Sequence, residues 1–320
     1  MRLLCAVGIW AAVVHADDKP VPLRASGFIS KGTYTIEGRQ KLARGIKLSV
    51  HHYTRIVGRG DDAVLEVEGT LKVTGVEGGR VIFENLTIEL AERFNDVNID
   101  NAKFKGVGGI RTPSGKAVSG KLHIEEVDFE RTCPIDVTFR SGTVDLIASY
   151  CVGPVTIKCV DRPRRKNSVR VSIHSCSRGF HMGGTLHGGL FIDNADDCTV
   201  RLNRLTGDLV VLSNCRKLIF DGNKVLTKTL EFRQDKAGRF SKTKILKCDM
   251  YCEKLKVFAP RHATKKDIIR VDKCWFRVHS KKMFIHDNLI EDARDSLDNG
   301  ARIVFAKIME KPLKLAGEAE

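Results

Sequence analysis

Aromatic side chains are scarce in this 320-residue chain: Phe, Trp and Tyr make up 7%, with two Trp and four Tyr. One of the two, Trp10, lies in the N-terminal apolar run, leaving Trp275 for the rest. Neutral sugars and single-stranded nucleic acids lean on stacking against such rings. A broad stacking platform is therefore excluded, and recognition has to work mainly through charge. After the first sixteen residues no apolar run approaches the roughly 20 residues that a membrane-spanning helix needs. No Cys-x-x-Cys pair occurs, and Cys248 with Cys252 alone is a weak zinc signal. Few stretches carry a helical period, and the leucine-dense consensus of leucine-rich repeats is missing.

What is present begins with Arg2, an apolar run from Leu3 to Val14, then Val14-His15-Ala16 ahead of Asp17-Asp18. A short positive region, an apolar core and small residues at the cleavage positions describe a secretory signal over residues 1–16. The expected compartment is secreted, periplasmic or extracellular. Nine cysteines follow that segment, an odd number in a chain too large to depend on disulfide staples. The formal net charge is +15 and uneven: Glu231 to Lys282 holds sixteen Lys or Arg against six acids, Glu77 to Asp136 eight against eleven. That asymmetry points to a polyanionic partner, and in an exported protein to an acidic polysaccharide or an anionic envelope component; no nucleic acid is expected.

One short pattern recurs along the chain: an aliphatic or Phe residue, a polar residue two later, a small or apolar one next, and often another apolar one two beyond. Phe83-Asn85-Leu86-Ile88, Ile99-Asn101-Ala102-Phe104, Ile124-Glu126-Val127-Phe129 and Ile147-Ser149-Tyr150-Val152 are copies. Ile173-Ser175-Cys176, Ile192-Asn194-Ala195, Leu212-Asn214-Cys215, Ile245-Lys247-Cys248, Val271-Lys273-Cys274-Phe276 and Ile285-Asp287-Asn288-Ile290 continue it, at a mean spacing near 22. Alternating apolar residues make a strand with one buried face. The polar residue turns the corner, Asn being able to adopt the left-handed conformation such a turn requires. About 22 residues then form one coil of three short strands that buries its inner face only by stacking on its neighbours. The expected fold is all-β: a right-handed parallel β-helix of about ten coils over residues 32–290. Residues 17–31 are expected as an N-terminal cap or linker, and 291–320 as a C-terminal cap and tail. Asn288 would cap a short helix there, and Ile303 to Ile308 would add a last strand. Cys176, Cys215, Cys248 and Cys274 follow the polar corner directly, where Leu86, Ala102 and Val127 stand elsewhere. They read as members of an inward ladder, with free Cys acting as a small hydrophobe.

The stretches GTYTI (32–36), GIKLSV (45–50) and RIVGRGDDAVLEVEGTLKV (55–73) resemble the opening coils of the pectate-lyase-like right-handed β-helix superfamily. That resemblance implies the solenoid fold. It leaves activity open, since the superfamily holds lyases, hydrolases, esterases and non-enzymes.

Three candidate sites follow. The segment 174–197 (HSCSRGFHMGGTLHGGLFIDNADD) gathers polar residues among glycines: Asp193, Asp196 and Asp197 as ligands for a divalent cation, calcium in particular, with Arg178, His181 or His187 as the base. Its plainer alternative is a turn between coils. Asp196-Asp197 also resembles the paired aspartates of polygalacturonase-like hydrolases, but His187-Gly188 and Arg164-Arg165-Lys166 precede the pair where that family's motifs follow it. The pectinesterase-like opening Gly32-Thr33-Tyr34 lacks the later Asp and Arg motifs. The basic loops are the third candidate: Arg164, Arg165 and Lys166 in one, Lys236, Arg239, Lys242 and Lys244 in another, and 261–267. Pro and Gly mark them as projections from the stack. Three functions stay open: a secreted binder of acidic polysaccharide or an anionic envelope surface, a polyuronate lyase acting by β-elimination, and a structural adhesin or stalk.

Overall fold

Alternation of apolar and polar residues at period two gives each short strand one apolar face, and a single strand cannot bury that face alone. The computed structural model shows the solution that this chain adopts: a right-handed parallel β-helix of about nine turns. It describes residues 19–160, 169–174, 185–233, 243–258, 268–278 and 302–308. Among the described residues every pairing between strands is parallel, and strands inside the stack pair with strands one coil before and after them. The described residues contain no helix, and none that is long and apolar enough to cross a membrane.

Three faces close the coil. The first runs through Val81–Glu84, Ala102–Lys105, Asp128–Phe129 and Tyr150–Cys151. The second runs through Thr87–Leu90, Gly109–Arg111, the start of Ile135–Ile147, and Val155–Cys159. The third runs through Thr70–Thr74, Arg93–Asp100, Val118–Glu125 and the end of Ile135–Ile147. Each face carries a continuous inward ladder. On the first it reads Tyr34, Ile56, Phe83, Phe104, Phe129, Cys151, Leu186, Leu205, Val225 and Met250. Spacing along that ladder runs from 19 residues (Leu186 to Leu205) to 35 (Cys151 to Leu186). Phe104 stacks between Phe83 and Phe129, with ring centroids 4.8 and 4.6 Å away. On the third face the ladder passes from Ile29 through Val50, Val73, Ile99, Ile124, Leu146, Ile173, Val200, Phe220 and Ile245 to Val271. Two short strands, Lys19–Pro20 and Gly27–Ile29, already stack on the following coil, so pairing begins ahead of Gly32.

The recurrent sequence pattern proves to be a mark of corners rather than of coils. Asn85 turns the chain from the first face to the second, Asn194 and Asn214 from the second to the third, and Asn101, Glu126 and Lys247 from the third back to the first. All six have φ between 48° and 60°. A residue in that left-handed region bends the strand inside one position, and Asn tolerates it best. Mixing three kinds of corner is why the copies scatter in spacing. One copy is displaced by a residue: Leu146, not Ile147, holds the inward register, and Ala148, with φ 48°, turns the corner. Tyr150 therefore points outward and Cys151 takes the place below Phe129. The corners pack tightly on the preceding coil: a Cβ on Gly75 would come within 1.9 Å of the Asn101 carbonyl oxygen.

All eight described cysteines are buried free thiols. Cys248 and Cys274 occupy the corner slot that Ala102 and Val127 fill, as expected, whereas Cys215 shares a different corner with Ala195. Asn203 and Asn223 take the first slot in intervening coils. Each is almost fully buried, and their amides bond to the Ile173 and Val200 carbonyls at 2.9 and 2.8 Å. Cys176 and the Asn288 helix lie outside the described residues. The expected strand at Ile303 is present as Arg302–Ile308, paired to Ile268–Val278.

Candidate functional site

Concavity on a β-helix arises where outward side chains of unequal length line a corner, and one instance here runs over the early coils. The cleft holds about 650 Å³ between the second face and the corner leading to the third. Its floor includes Glu66 and Glu89, which belong to an outward column on the second face where Lys41, Glu66, Glu89 and Arg111 lie in register on successive coils. Glu89 is the keystone, with its side chain only 5% exposed. Arg39 donates to its two oxygens at 2.6 and 3.4 Å, and Arg111 Nε donates at 3.0 Å. Burial opposes the charge on Glu89, but the bonds from Arg39 and Arg111 outweigh it and hold the carboxyl below its ordinary range. The same contact raises Arg39. Beside it, Lys41 lies 2.6 Å from Glu68 and holds that carboxyl low as well.

The rim is different. Arg93 and Arg140 line the cleft at the corner, two coils apart, and neither is ion-paired among the described residues. Lys116 meets Glu92 at 3.1 Å, but both are more than half exposed, a pair that contributes little. Between the arginines, Ser119 pairs in register with Arg93 and with Ser141, and Ser141 Oγ donates to Ser119 Oγ at 2.9 Å. Chemically the cleft offers uncommitted guanidinium donors over a floor whose charges are already neutralised. Such a surface can receive carboxylate or phosphate oxygens, with Arg able to bind them through two parallel N–H donors.

The residues singled out in the sequence stand elsewhere. Arg164, Arg165, Lys166, Arg178, His181, Lys236, Arg239 and Lys242 lie outside the described residues. His187 sits at a first-face corner, its Nδ1 2.8 Å from Thr206 Oγ1, edge-on to Tyr150 at 5.2 Å. Asp193 ends a second-face strand and accepts from Asn194 Nδ2 at 2.8 Å and Asn214 Nδ2 at 3.4 Å. Asp196 lies 3.7 Å from Arg216, and Asp197 opens a third-face strand in register with Arg170. The corner thus divides the three aspartates between two faces. Among the described residues no group of three or more His, Cys, Asp or Glu is arranged to hold a metal ion. Lys244 is exposed on the third face, in register with Ile219, near the other end of the stack from the cleft.

The cleft itself escaped the sequence reading because it falls in the region with an acidic excess. The signal that would have found it is the outward column of alternating charge, visible only once coil register is known. The chain matches no family model, and comparison with curated proteins and with solved structures finds no match.

Proposed function

We propose that this chain is a secreted β-helix protein that binds an acidic polysaccharide, with the cleft beside Glu89 as its binding surface. The observation that carries the reading is the pair Arg93 and Arg140, uncommitted at the rim while every acid of the floor is engaged. A ligand carboxylate gains a charge-assisted bond there without displacing an internal partner. The overall charge of +15 adds long-range attraction for the same class of ligand. Low aromatic content fits a charge-led mode. The resemblance of the opening coils to the pectate-lyase-like superfamily supports a uronate polymer among acidic glycans. The test compares polygalacturonate with the same polymer after reduction of its carboxyl groups. Binding to the first and not to the second supports the reading. Equal binding to both, or binding to neither at low salt, overturns it.

A further inference from the structure

The buried thiols carry an inference independent of the cleft. Cys248 and Cys274 are direct neighbours along the stack. Ile245 is in register with Val271 on one side of them, and Asp249 with Trp275 on the other. Both pairings have the same offset, so Cys248 and Cys274 occupy one slot in consecutive coils. Neighbouring strands lie about 4.8 Å apart, inside the roughly 4.4–6.8 Å that separates the Cα atoms of disulfide-bonded residues. The side chains share an orientation as well. Cys248 Sγ donates to the Phe220 carbonyl at 3.4 Å, and Cys274 Sγ donates to the Ile245 carbonyl at 3.5 Å, each reaching back to the preceding coil. The sulfur of Cys274 therefore leans into the coil that holds Cys248, toward its neighbour in the stack. Both residues are 0% exposed.

We propose that Cys248 and Cys274 form an inter-coil disulfide when the chain folds in the presence of a small-molecule or protein disulfide. One thiolate attacks the donor's S–S bond, forming a mixed disulfide and releasing one donor thiolate. The second thiolate displaces the other donor sulfur, so the two cysteines lose two electrons and two protons and the donor is reduced to two thiols. The exchange belongs to the folding chain, before these coils close over the pair. In the finished stack a donor cannot reach either sulfur, and burial disfavours the thiolate that must attack. The closed loop spans residues 249–273. Cys198 and Cys215 are also buried thiols, but they stand at different positions of their coils. Cys198 lies on a third-face strand and Cys215 lies at a corner, so they lack the shared register.

The test refolds reduced, denatured protein in a buffer of oxidised and reduced glutathione, blocks remaining thiols by alkylation, and maps the peptides by mass spectrometry. A peptide pair joined through Cys248 and Cys274 is expected, and its yield should exceed that of any other pair at least tenfold. Folded, reduced protein exposed to the same buffer should stay unlinked at these positions. Cys274→Ala fills the slot with the residue found at Ala102 and should remove this bridge alone, together with the gain in urea midpoint that oxidised wild type shows over reduced. Recovery of both cysteines as alkylated thiols after refolding overturns the proposal. So does preferential bridging of Cys198 to Cys215, and neither result depends on the variant folding.

Discussion

Replacing Glu89 with Gln keeps the shape of the cleft floor and removes one charge, which isolates what the carboxylate does. In the native chain that carboxylate accepts from Arg39 at 2.6 Å and from Arg111 at 3.0 Å while its side chain is 5% exposed. Hydrogen bonds to charged groups contribute about 1.5–3 kcal/mol each when shielded. Here both guanidinium groups are about half exposed, at 50% and 49%, so water and salt screen their side of each bond. The amide can still accept one bond through its remaining oxygen. These terms together place the cost of Glu89→Gln at about 2 kcal/mol. In a stack where each coil touches only its neighbours the loss should stay local. Native-state hydrogen exchange read on peptides covering Thr87–Leu90 and Gly109–Arg111 is therefore the assay of choice. The pH dependence has a definite sign. A carboxyl held below its ordinary range contributes stability that is fully present above the unfolded-state value, about 4.3. That contribution is lost as pH falls through the folded-state value. The gap between wild type and variant should be constant from pH 6 upward and close on acidification below about 4. A gap under about 0.5 kcal/mol at neutral pH, the usual range of an inconsequential surface change, would refute the keystone role. So would a gap that ignores acid.

Three further outcomes follow from the packing. Phe104→Ala, which removes the middle ring of the Phe83–Phe104–Phe129 stack, should cost about 4 kcal/mol in urea unfolding, and Phe104→Leu less than about 1.5; equal effects would argue against a tightly packed ladder. Asp100 is pushed above its ordinary value by burial and by Glu125 and Glu126, so its proton is bound more tightly when folded and stability is gained as pH falls through its folded value. Asp100→Asn should therefore stabilise the chain at pH 7 and lose that advantage below about pH 4 in thermal melts; a constant difference across that range would contradict the assignment. The eight described cysteines of the reduced protein should resist alkylation at pH 8 and all react after denaturation. Burial raises Cys133 to about 11 and Cys252 to about 12 and shields both, and rapid native labelling of either would contradict the inward placement.

The corners were the most legible part of the sequence. Asn85, Asn101, Asn194 and Asn214 each stand where the backbone turns left-handed, a conformation costly enough for other residues to leave a compositional trace. Register was legible where one aliphatic residue stood alone between polar ones, as at Ile99 and Ile124. It failed at Leu146-Ile147, where two adjacent aliphatics offer both phases and the corner residue is Ala148 rather than a polar one. The assignment of Cys248 and Cys274 to the slot of Ala102 and Val127 followed from the same pattern, while Cys215 was grouped with them because all three corners look alike in sequence. The cleft was not legible, for a geometric reason. Arg39, Glu89 and Arg111 meet across 50 and 22 residues of sequence, and coil lengths that vary between 19 and 35 residues hide which outward residues stack. Net charge over a sequence window measures composition, whereas a binding surface depends on which charges remain unpaired after folding. Arg93 and Arg140 lie in or beside the acidic stretch yet are the uncommitted donors.

The most direct test of the binding account is a calorimetric titration of polygalacturonate into wild type and into Arg93→Gln/Arg140→Gln, at low salt and at physiological ionic strength. Both substitutions are at the cleft rim and break no ion pair among the described residues, so thermal stability should be unchanged. Exposed charges are screened over about 8 Å at physiological salt, and wild-type affinity should fall as salt rises. The double variant should bind at least tenfold more weakly at low salt, and its affinity should depend less on salt. A double variant that keeps its fold and binds as tightly as wild type would contradict the assignment of the cleft.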